Sequence, residues 1–189
     1  MEPSYPDVMV DIETTGLDPS HSAIIQIAAI RFSYDTQEIG PAFVGCLEIP
    51  SNRFWDEGTR SWWVDDKWDV LEPIMKAARN PAEVWQEFAQ WCHQTSPALT
   101  DNRLWAKPIS FEWPFLQSYG RQFDTPLPFH YRNAVDLNSF TRGMQNAPGQ
   151  KPIDYQFDIP FTGTVHNALD DVGHQIKTAL MARHLINAG

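Results

Sequence analysis

The chain has 189 residues, 42% of them hydrophobic, and a formal net charge of −10. That size suits one domain with a sizeable core, and no apolar run approaches the ~20 residues of a membrane span. The acidic balance argues against a protein that coats nucleic acid through a broad basic surface, but not against an enzyme that holds a few phosphates through metal ions. Cys46 and Cys92 form no framework and match no metal knuckle, and Met1 to Asp7 has neither a positive segment nor an apolar signal core. A reducing cytoplasm is therefore expected.

Val8-Met9-Val10 predicts a buried strand that ends in Asp11-Ile12-Glu13-Thr14-Thr15-Gly16-Leu17. Strand side chains alternate faces, so Asp11 and Glu13 point the same way. Two neighbouring carboxylates repel each other, and a hard divalent cation between them removes that cost. Gly16 then permits a sharp exit turn and close approach of another backbone or ligand. The pattern points to a metal-dependent hydrolase acting on phosphate, with further carboxylates downstream.

Ala23 to Phe32 is a nearly continuous apolar run and predicts a central strand; Ala42 to Ile49 predicts a third. The polar connection Ser33 to Ile39 predicts an antiparallel hairpin between them. Pro50 to Gly58 reads as loop, and Thr59 to Ala78, with Trp62, Trp63 and Trp68, as irregular helix. Asn80-Pro81-Ala82-Glu83 carries an N-cap, a proline at the first helical position and a capping-box glutamate. Val84, Trp85, Phe88, Trp91 and Cys92 follow at helical spacing.

Leu104-Trp105-Ala106 predicts a short strand. Ser110 is the expected cap of a helix running through Phe115 and Leu116 toward Tyr119, with Pro114 in its first turn. Ala134-Val135 leads into a short helix from Leu137 to Met144. Met144 to Thr164, rich in Pro, Gly and Gln, is expected to be a long mobile loop. The last helix is predicted from about Asn167 to Ile186, with Leu169, Val172, Ile176, Ala179 and Leu180 as its buried stripe. Strands first, then helices with interspersed strands, predict a mixed α/β sheet flanked by helices.

Three further segments carry chemistry. Glu112 falls in the first turn of a predicted helix just after a strand. Asp171 lies near the start of the last helix, with His166 just before it. Asp170 is ~100° around the helix from Asp171 and reads as a charge complementing the helix dipole. Trp85, Trp91 and Trp113 read as core, whereas Trp62 or Trp63 is a candidate for stacking on an unpaired base. No role is assigned to His21, His93, His130, His174 or His184.

In order along essentially the whole chain, these segments resemble the DEDDh 3′–5′ exonucleases. Asp11-Ile12-Glu13-Thr14-Thr15-Gly16-Leu17 is similar to the first exonuclease motif, Ser110-Phe111-Glu112-x-x-Phe115-Leu116 to the second, and His166-x-x-x-x-Asp171 to the third. Thr59-x-x-Trp62-Trp63 and the Asp136-Leu137 pair resemble an exoribonuclease-like branch found in bacteria and phages. The resemblance implies an RNase H-like mixed five-stranded sheet flanked by helices, in a single 3′–5′ exonuclease domain over residues 1–189.

It also implies a site. Asp11, Glu13 and Asp171 would hold one Mg²⁺ or Mn²⁺, and Asp11 and Glu112 a second about 3.5–4 Å away. His166 would take the proton of the attacking water. Single-stranded RNA or DNA would be cut from its 3′ end to nucleoside 5′-monophosphates. Leu17 would wedge against the terminal base, and the backbone around Thr14, Thr15 and Gly16 would meet the terminal 3′-OH. Trp62, Trp63, Lys107 and Phe111 complete the substrate-binding set, and Met144 to Thr164 reads as a lid carrying His166. A homodimer is a further implication.

One position departs from the family, which normally has aspartate where this chain has Glu112. The extra methylene moves the carboxylate by roughly 1.5 Å, and Asp101 and Asp136 stay open as alternatives. Two other functions fit the same residues: a binding module for nucleic acid or a partner on a degraded site, and a phosphodiesterase confined to dinucleotides.

Overall fold

A mixed sheet of five strands organises the molecule, in the order β3-β2-β1-β4-β5. The computed structural model describes residues 5–94, 102–145 and 159–187. The strands are β1 (Asp7–Thr14), β2 (Ile24–Phe32), β3 (Ile39–Cys46), β4 (Arg103–Ala106) and β5 (Ala134–Asp136). β1 pairs antiparallel with β2, and β2 with β3; β4 runs parallel to β1, and β5 to β4. This is the five-stranded mixed sheet expected from the sequence.

Helices cover both faces. On one face Met9, Ala28, Phe32 and Trp105 pack against Val172, Ile176 and Ala179 of α6 (Ala168–Asn187). On the other, Val8, Val10 and Ile12 pack against α3 (Pro81–Gln94) and α4 (Ile109–Gln122) through Trp85, Phe88, Phe115 and Tyr119. A third cluster joins Ile25 to Trp63, Val70, Leu71 and Ile74 of α1 (Glu57–Asp66) and α2 (Trp68–Ala77). α5 (Leu137–Gln145) lies beside α6. Met9 faces α6, so the two-residue period sends Asp11 and Glu13 to the same side.

The structure corrects several boundaries. β1 continues through Thr14, so Asp11 and Glu13 lie within the strand, opposite Ala28 and Gln26. β3 starts and ends earlier than Ala42 to Ile49, because Ile39 pairs with Phe32 while Leu47 leaves the sheet to bridge Arg79. The tryptophan-rich stretch is two helices broken at Lys67, whose N–H donates to the Trp63 carbonyl. Asp56 caps the first of them through the Thr59 N–H, at 2.8 Å.

Ser110 does not cap α4. The helix starts at Ile109, and Asp136 at the end of β5 accepts the Ile109 N–H at 3.0 Å. Pro114 therefore sits in the second turn, and its missing N–H leaves the carbonyl of Ser110, an exposed residue, without a helical partner. Asp101 and most of the expected loop, 146–158, lie outside the described residues.

Candidate active site

β1 and α6 bring three carboxylates together. α6 is anchored at its start by Gln26, which stands opposite Glu13 on β2 and accepts the Ala168 N–H at 2.9 Å. This places Asp171, in the first turn of α6, over β1. One oxygen each from Asp11, Glu13 and Asp171 lie within 4.8 Å of one another. The pairing register of β1 shifts between Glu13 and Thr14, and such a bulge re-aims the neighbouring side chain.

Glu112 joins from the first turn of α4. It is 2% exposed, and its Oε2 is buried without a hydrogen-bond partner among the described residues. The four acids, with Lys107, Phe111, His166, His174 and Gln175, line a cavity of about 320 Å³.

The one cation lining this cavity among the described residues, Lys107, lowers the Asp11 pKa through its charge without forming an ion pair. Burial first, then the Asp171 charge, push Asp11 up to about 7. Burial, then Asp11, Asp171 and Glu112, push Glu13 up to about 10. Burial and Asp11 push Glu112 up to about 9. Burial raises Asp171 against the hydrogen bond from the His166 N–H. Among the described residues, no lysine or arginine forms an ion pair with any of the four.

Asp7, on the same face of β1, is the contrast. It is fully buried, yet Arg103 Nε and Nη2 donate to it at 2.5 and 2.8 Å, Trp105 Nε1 at 2.8 Å and the Tyr34 N–H at 2.9 Å. Burial alone thus does not distinguish the acidic cluster. The missing cationic partner does.

His166 stands at the edge of this cavity. Its N–H donates to Asp171 Oδ2 at 2.8 Å, and its φ of 68° is left-handed, a region histidine enters more readily than most side chains. The ring meets the Trp62 ring edge-on at 4.9 Å. Burial lowers its pKa below 6.5, with Asp171 opposing and Lys67 assisting, so the imidazole is neutral at pH 7.

A second cavity, of about 470 Å³, is lined by Thr14, Leu17, Thr59, Trp62, Trp63 and Phe111 among others, and shares Ile12, Glu13 and Phe111 with the first. Leu17 stands out from the turn, 79% exposed. Gly16 is required beneath it: a Cβ there would lie 2.5 Å from Ser22 Oγ and 2.8 Å from Asp56 Cβ.

A model of the Rv2179c-like 3′–5′ exoribonuclease domain matches residues 6–182. The chain belongs to this exoribonuclease family. No curated relative matches it by sequence. Among solved structures, it is similar to cell-death related nuclease 4, at 18% identity and a TM-score of 0.67, over 99% of this chain and 65% of that one. It is also similar to the zinc-bound E. coli exonuclease I complex with single-stranded DNA, at 16% identity and TM-score 0.72, over 98% and 43%. Exonuclease I of Methylocaldum szegediense matches at 17% identity and TM-score 0.69, over 96% and 42%. The chain thus spans about two thirds of the nuclease and under half of the exonuclease I chains. At these identities the likeness is one of fold.

Within this exoribonuclease domain, two of the expected substrate contacts are buried, with polar groups hydrogen-bonded inside the protein. Trp63 is 1% exposed and donates from Nε1 to the Thr14 carbonyl at 3.1 Å. Thr15 is fully buried: its N–H donates to the Ala23 carbonyl, its carbonyl accepts from Asp56, and its hydroxyl donates to the Phe54 carbonyl at 2.8 Å. Both hold the turn that presents Leu17. The Thr14 hydroxyl likewise donates to the Gly16 carbonyl at 2.7 Å. Asp136, open above as an alternative carboxylate, has both oxygens engaged, by the N–H groups of Ile109 and Ser139. Asp170 accepts the Thr164 N–H at 2.8 Å and fixes the entry to α6.

Three residues escaped the sequence reading. Gln175 Nε2 donates to Asp11 Oδ1 at 2.8 Å, while its buried Oε1 has no partner. His174 lines the carboxylate cavity and lies against Phe161. Gln26 anchors α6. His174 and Gln175 follow Asp171 by three and four residues, the spacing that stacks side chains on one helix face, so helical periodicity could have found them.

Proposed function

We propose that residues 1–189 form a single 3′–5′ exonuclease domain of the DEDDh type, which shortens single-stranded RNA or DNA from its 3′ end to nucleoside 5′-monophosphates. The observation that carries this reading is the unneutralised cluster: Asp11, Glu13 and Asp171 with oxygens within 4.8 Å of one another, beside the unpartnered buried Oε2 of Glu112. The exoribonuclease description of the family favours RNA.

The donor set fits hard divalent cations, since every candidate ligand is a carboxylate oxygen. Asp11, Glu13 and Asp171 would hold one Mg²⁺ or Mn²⁺, and Asp11 and Glu112 a second. Bound there, two such ions supply the positive charge that steadies the attacking and leaving oxygens of a displacement at phosphorus.

The chain's own residues do the rest. Gln175 fixes Asp11 through its amide N–H and leaves the charge intact. His166, neutral at pH 7, accepts the proton of the attacking water at its imidazole. Lys107 lines the same cavity and offers its ammonium to an oxygen of the scissile phosphate. Leu17, Trp62 and Phe111 enclose the last base in the adjoining cavity and exclude water from it.

The test is a time course on 5′-labelled RNA and DNA of matched sequence, with Mg²⁺, Mn²⁺ or chelator, beside Asp11→Ala. A metal-dependent ladder shortening from the 3′ end, absent in the variant, is the expected result. No shortening of either strand, with Mn²⁺ bound in calorimetry or not, refutes it; cleavage confined to dinucleotides narrows it. The proposal extends to a cytoplasmic homodimer, which sedimentation equilibrium tests. Among the described residues, no helix is long and apolar enough to cross a membrane.

A further inference from the structure

We propose that Trp62 is the positioning residue for His166, and that it transmits filling of the terminal-base cavity to that imidazole; this rests on the exonuclease reading above. The backbone of His166 is tied down and its ring is not. Its N–H donates to Asp171, the Thr164 carbonyl accepts the Asn167 N–H at 3.1 Å, and Asp170 accepts the Thr164 N–H at 2.8 Å. These bonds fix where the side chain starts. A histidine used as a base is commonly oriented by a hydrogen bond to its second ring nitrogen. Among the described residues, neither nitrogen of His166 has such a partner. Ring packing takes its place.

That packing comes from α1. The Trp62 ring lies 4.9 Å from the imidazole at an interplanar angle of 87°, and the Trp63 ring 6.5 Å away at 76°. The two indoles meet each other at 4.9 Å and 67°. Trp63 is the fixed end of this row, buried and bonded through Nε1 to the Thr14 carbonyl of β1. Trp62 is half-buried and joins that fixed end to His166.

Trp62 faces two ways. It lines the cavity assigned to the last base, whereas His166 lines the carboxylate cavity. Phe111 lines both, but its ring packs on Phe115, so Trp62 is the link. A base in that cavity confines the indole, and the indole confines the imidazole. Contacts remote from the reacting bond are then expressed in the rate of chemistry. A catalytic group misplaced by ~1 Å costs ~10²-fold, so a loose contact at Trp62 is felt at the attacking water.

The experiment compares strands that end in an ordinary or an abasic 3′ nucleotide. In wild type, the abasic end lowers kcat about tenfold besides raising KM. Trp62→Ala lowers kcat on the ordinary strand by about 10²-fold and makes kcat indifferent to the terminal base. Trp62→Phe, which keeps a ring edge, restores both. In a His166→Ala background, Trp62→Ala leaves the residual kcat unchanged; a tryptophan that only packed α1 would lower it again. An abasic end that changes KM alone, or a Trp62→Ala effect on kcat that is equal with and without His166, overturns the proposal. A second readout needs no turnover. It follows the imidazole proton resonances of His166 in Mg²⁺ as a nucleoside 5′-monophosphate or ribose 5-phosphate is added. The nucleotide shifts them further than the sugar phosphate in wild type, and the two act equally in Trp62→Ala. No difference between the two ligands in wild type refutes the coupling. If wild type cleaves no strand with any metal yet the base-dependent shift requires Trp62, the exonuclease reading falls and the coupling stands.

Discussion

Replacing Asp11 by asparagine isolates charge from shape. The side chain keeps its size, and its Oδ1 still accepts from Gln175 Nε2, a bond of 2.8 Å in the wild type. Asp11 is 9% exposed, and burial with the Asp171 charge lifts it from 3.8 to about 7. A carboxyl whose folded pKa exceeds its unfolded value contributes fully below the unfolded value and loses that contribution as the pH rises through the folded one. For Asp11 the loss runs from about pH 4 to about pH 7. At ~1.4 kcal/mol per pH unit, this sets a ceiling of about 4 kcal/mol on the penalty the asparagine removes. A chain of this size shifts by roughly 2–4 °C per kcal/mol. In chelator, wild type and Asp11→Asn are therefore expected to melt together near pH 4. At pH 8 the variant is expected to melt higher, by up to ~8–16 °C. Calorimetric melts across this pH range make the comparison. Added Mn²⁺ should raise the wild-type Tm more than the variant's, and exonuclease activity should be lost in the variant. A Tm difference that does not change with pH, or a wild type that melts higher at pH 8 without metal, refutes the charge argument.

Three further outcomes are expected. His166→Ala should lower kcat by about 10²–10⁴-fold and leave Mn²⁺ affinity in calorimetry unchanged, because Asp171 is held by the backbone N–H of residue 166. Since the His166 pKa lies below 6.5, the acid limb of the wild-type rate profile should fall below that value and disappear in the variant. Gln175→Leu should weaken Mn²⁺ binding by ~10–100-fold, as for other residues that orient a metal ligand; an unchanged isotherm would count against its positioning role. Gly16→Ala forces a Cβ to 2.5 Å from Ser22 Oγ and should cost roughly 1–3 kcal/mol in urea unfolding, with KM rising as the Leu17 turn shifts.

The elements best read in the sequence were those whose signals are local. The apolar runs of β1 and β2 and the stripe of α6 are each local signals, and β2 and α6 formed near their expected bounds, while β1 ran on through Thr14. The failures arose where a distant residue decided. Ser110 has the chemistry of a cap, but Asp136 reaches the first N–H of α4 from another strand. Trp62 and Trp63 are neighbours ~100° apart on a helix, so one had to face inward. The sequence left that choice open, and the pocket made by Ile25, Val70, Leu71 and Ile74 took Trp63. The third strand slipped because its register is set by Ile39 pairing with Phe32, while its own residues, half of them exposed at the sheet edge, carry little pattern. Asp11 and Glu13 were legible together from strand spacing, whereas Glu112 and Asp171 joined them through the family resemblance. Gln175 and Gln26 were not legible, because an amide becomes a support only once its partner is known.

Asp7 and Asp11 show what the fold adds to a charge pattern. Both lie on one face of β1, and both are buried. Ninety-six residues along the chain, Arg103 delivers a guanidinium to Asp7, and Trp105 adds an indole N–H. Asp11 receives only the amide of Gln175. The difference is chemical: a guanidinium cancels the carboxylate's charge, whereas an amide orients the oxygen and leaves the charge in place. A buried, oriented and uncancelled charge is costly unless something brings the opposite sign, and here three more carboxylates converge on the same cavity. The sheet holds them there because β1 is paired with β2 through Asp11 and Glu13, is flanked by β4 just before them at Asp7 to Met9, and is packed on both faces, so the strand resists the repulsion. The stiffness of the core thus serves the site directly: it keeps in register a charge cluster that would otherwise relax into solvent.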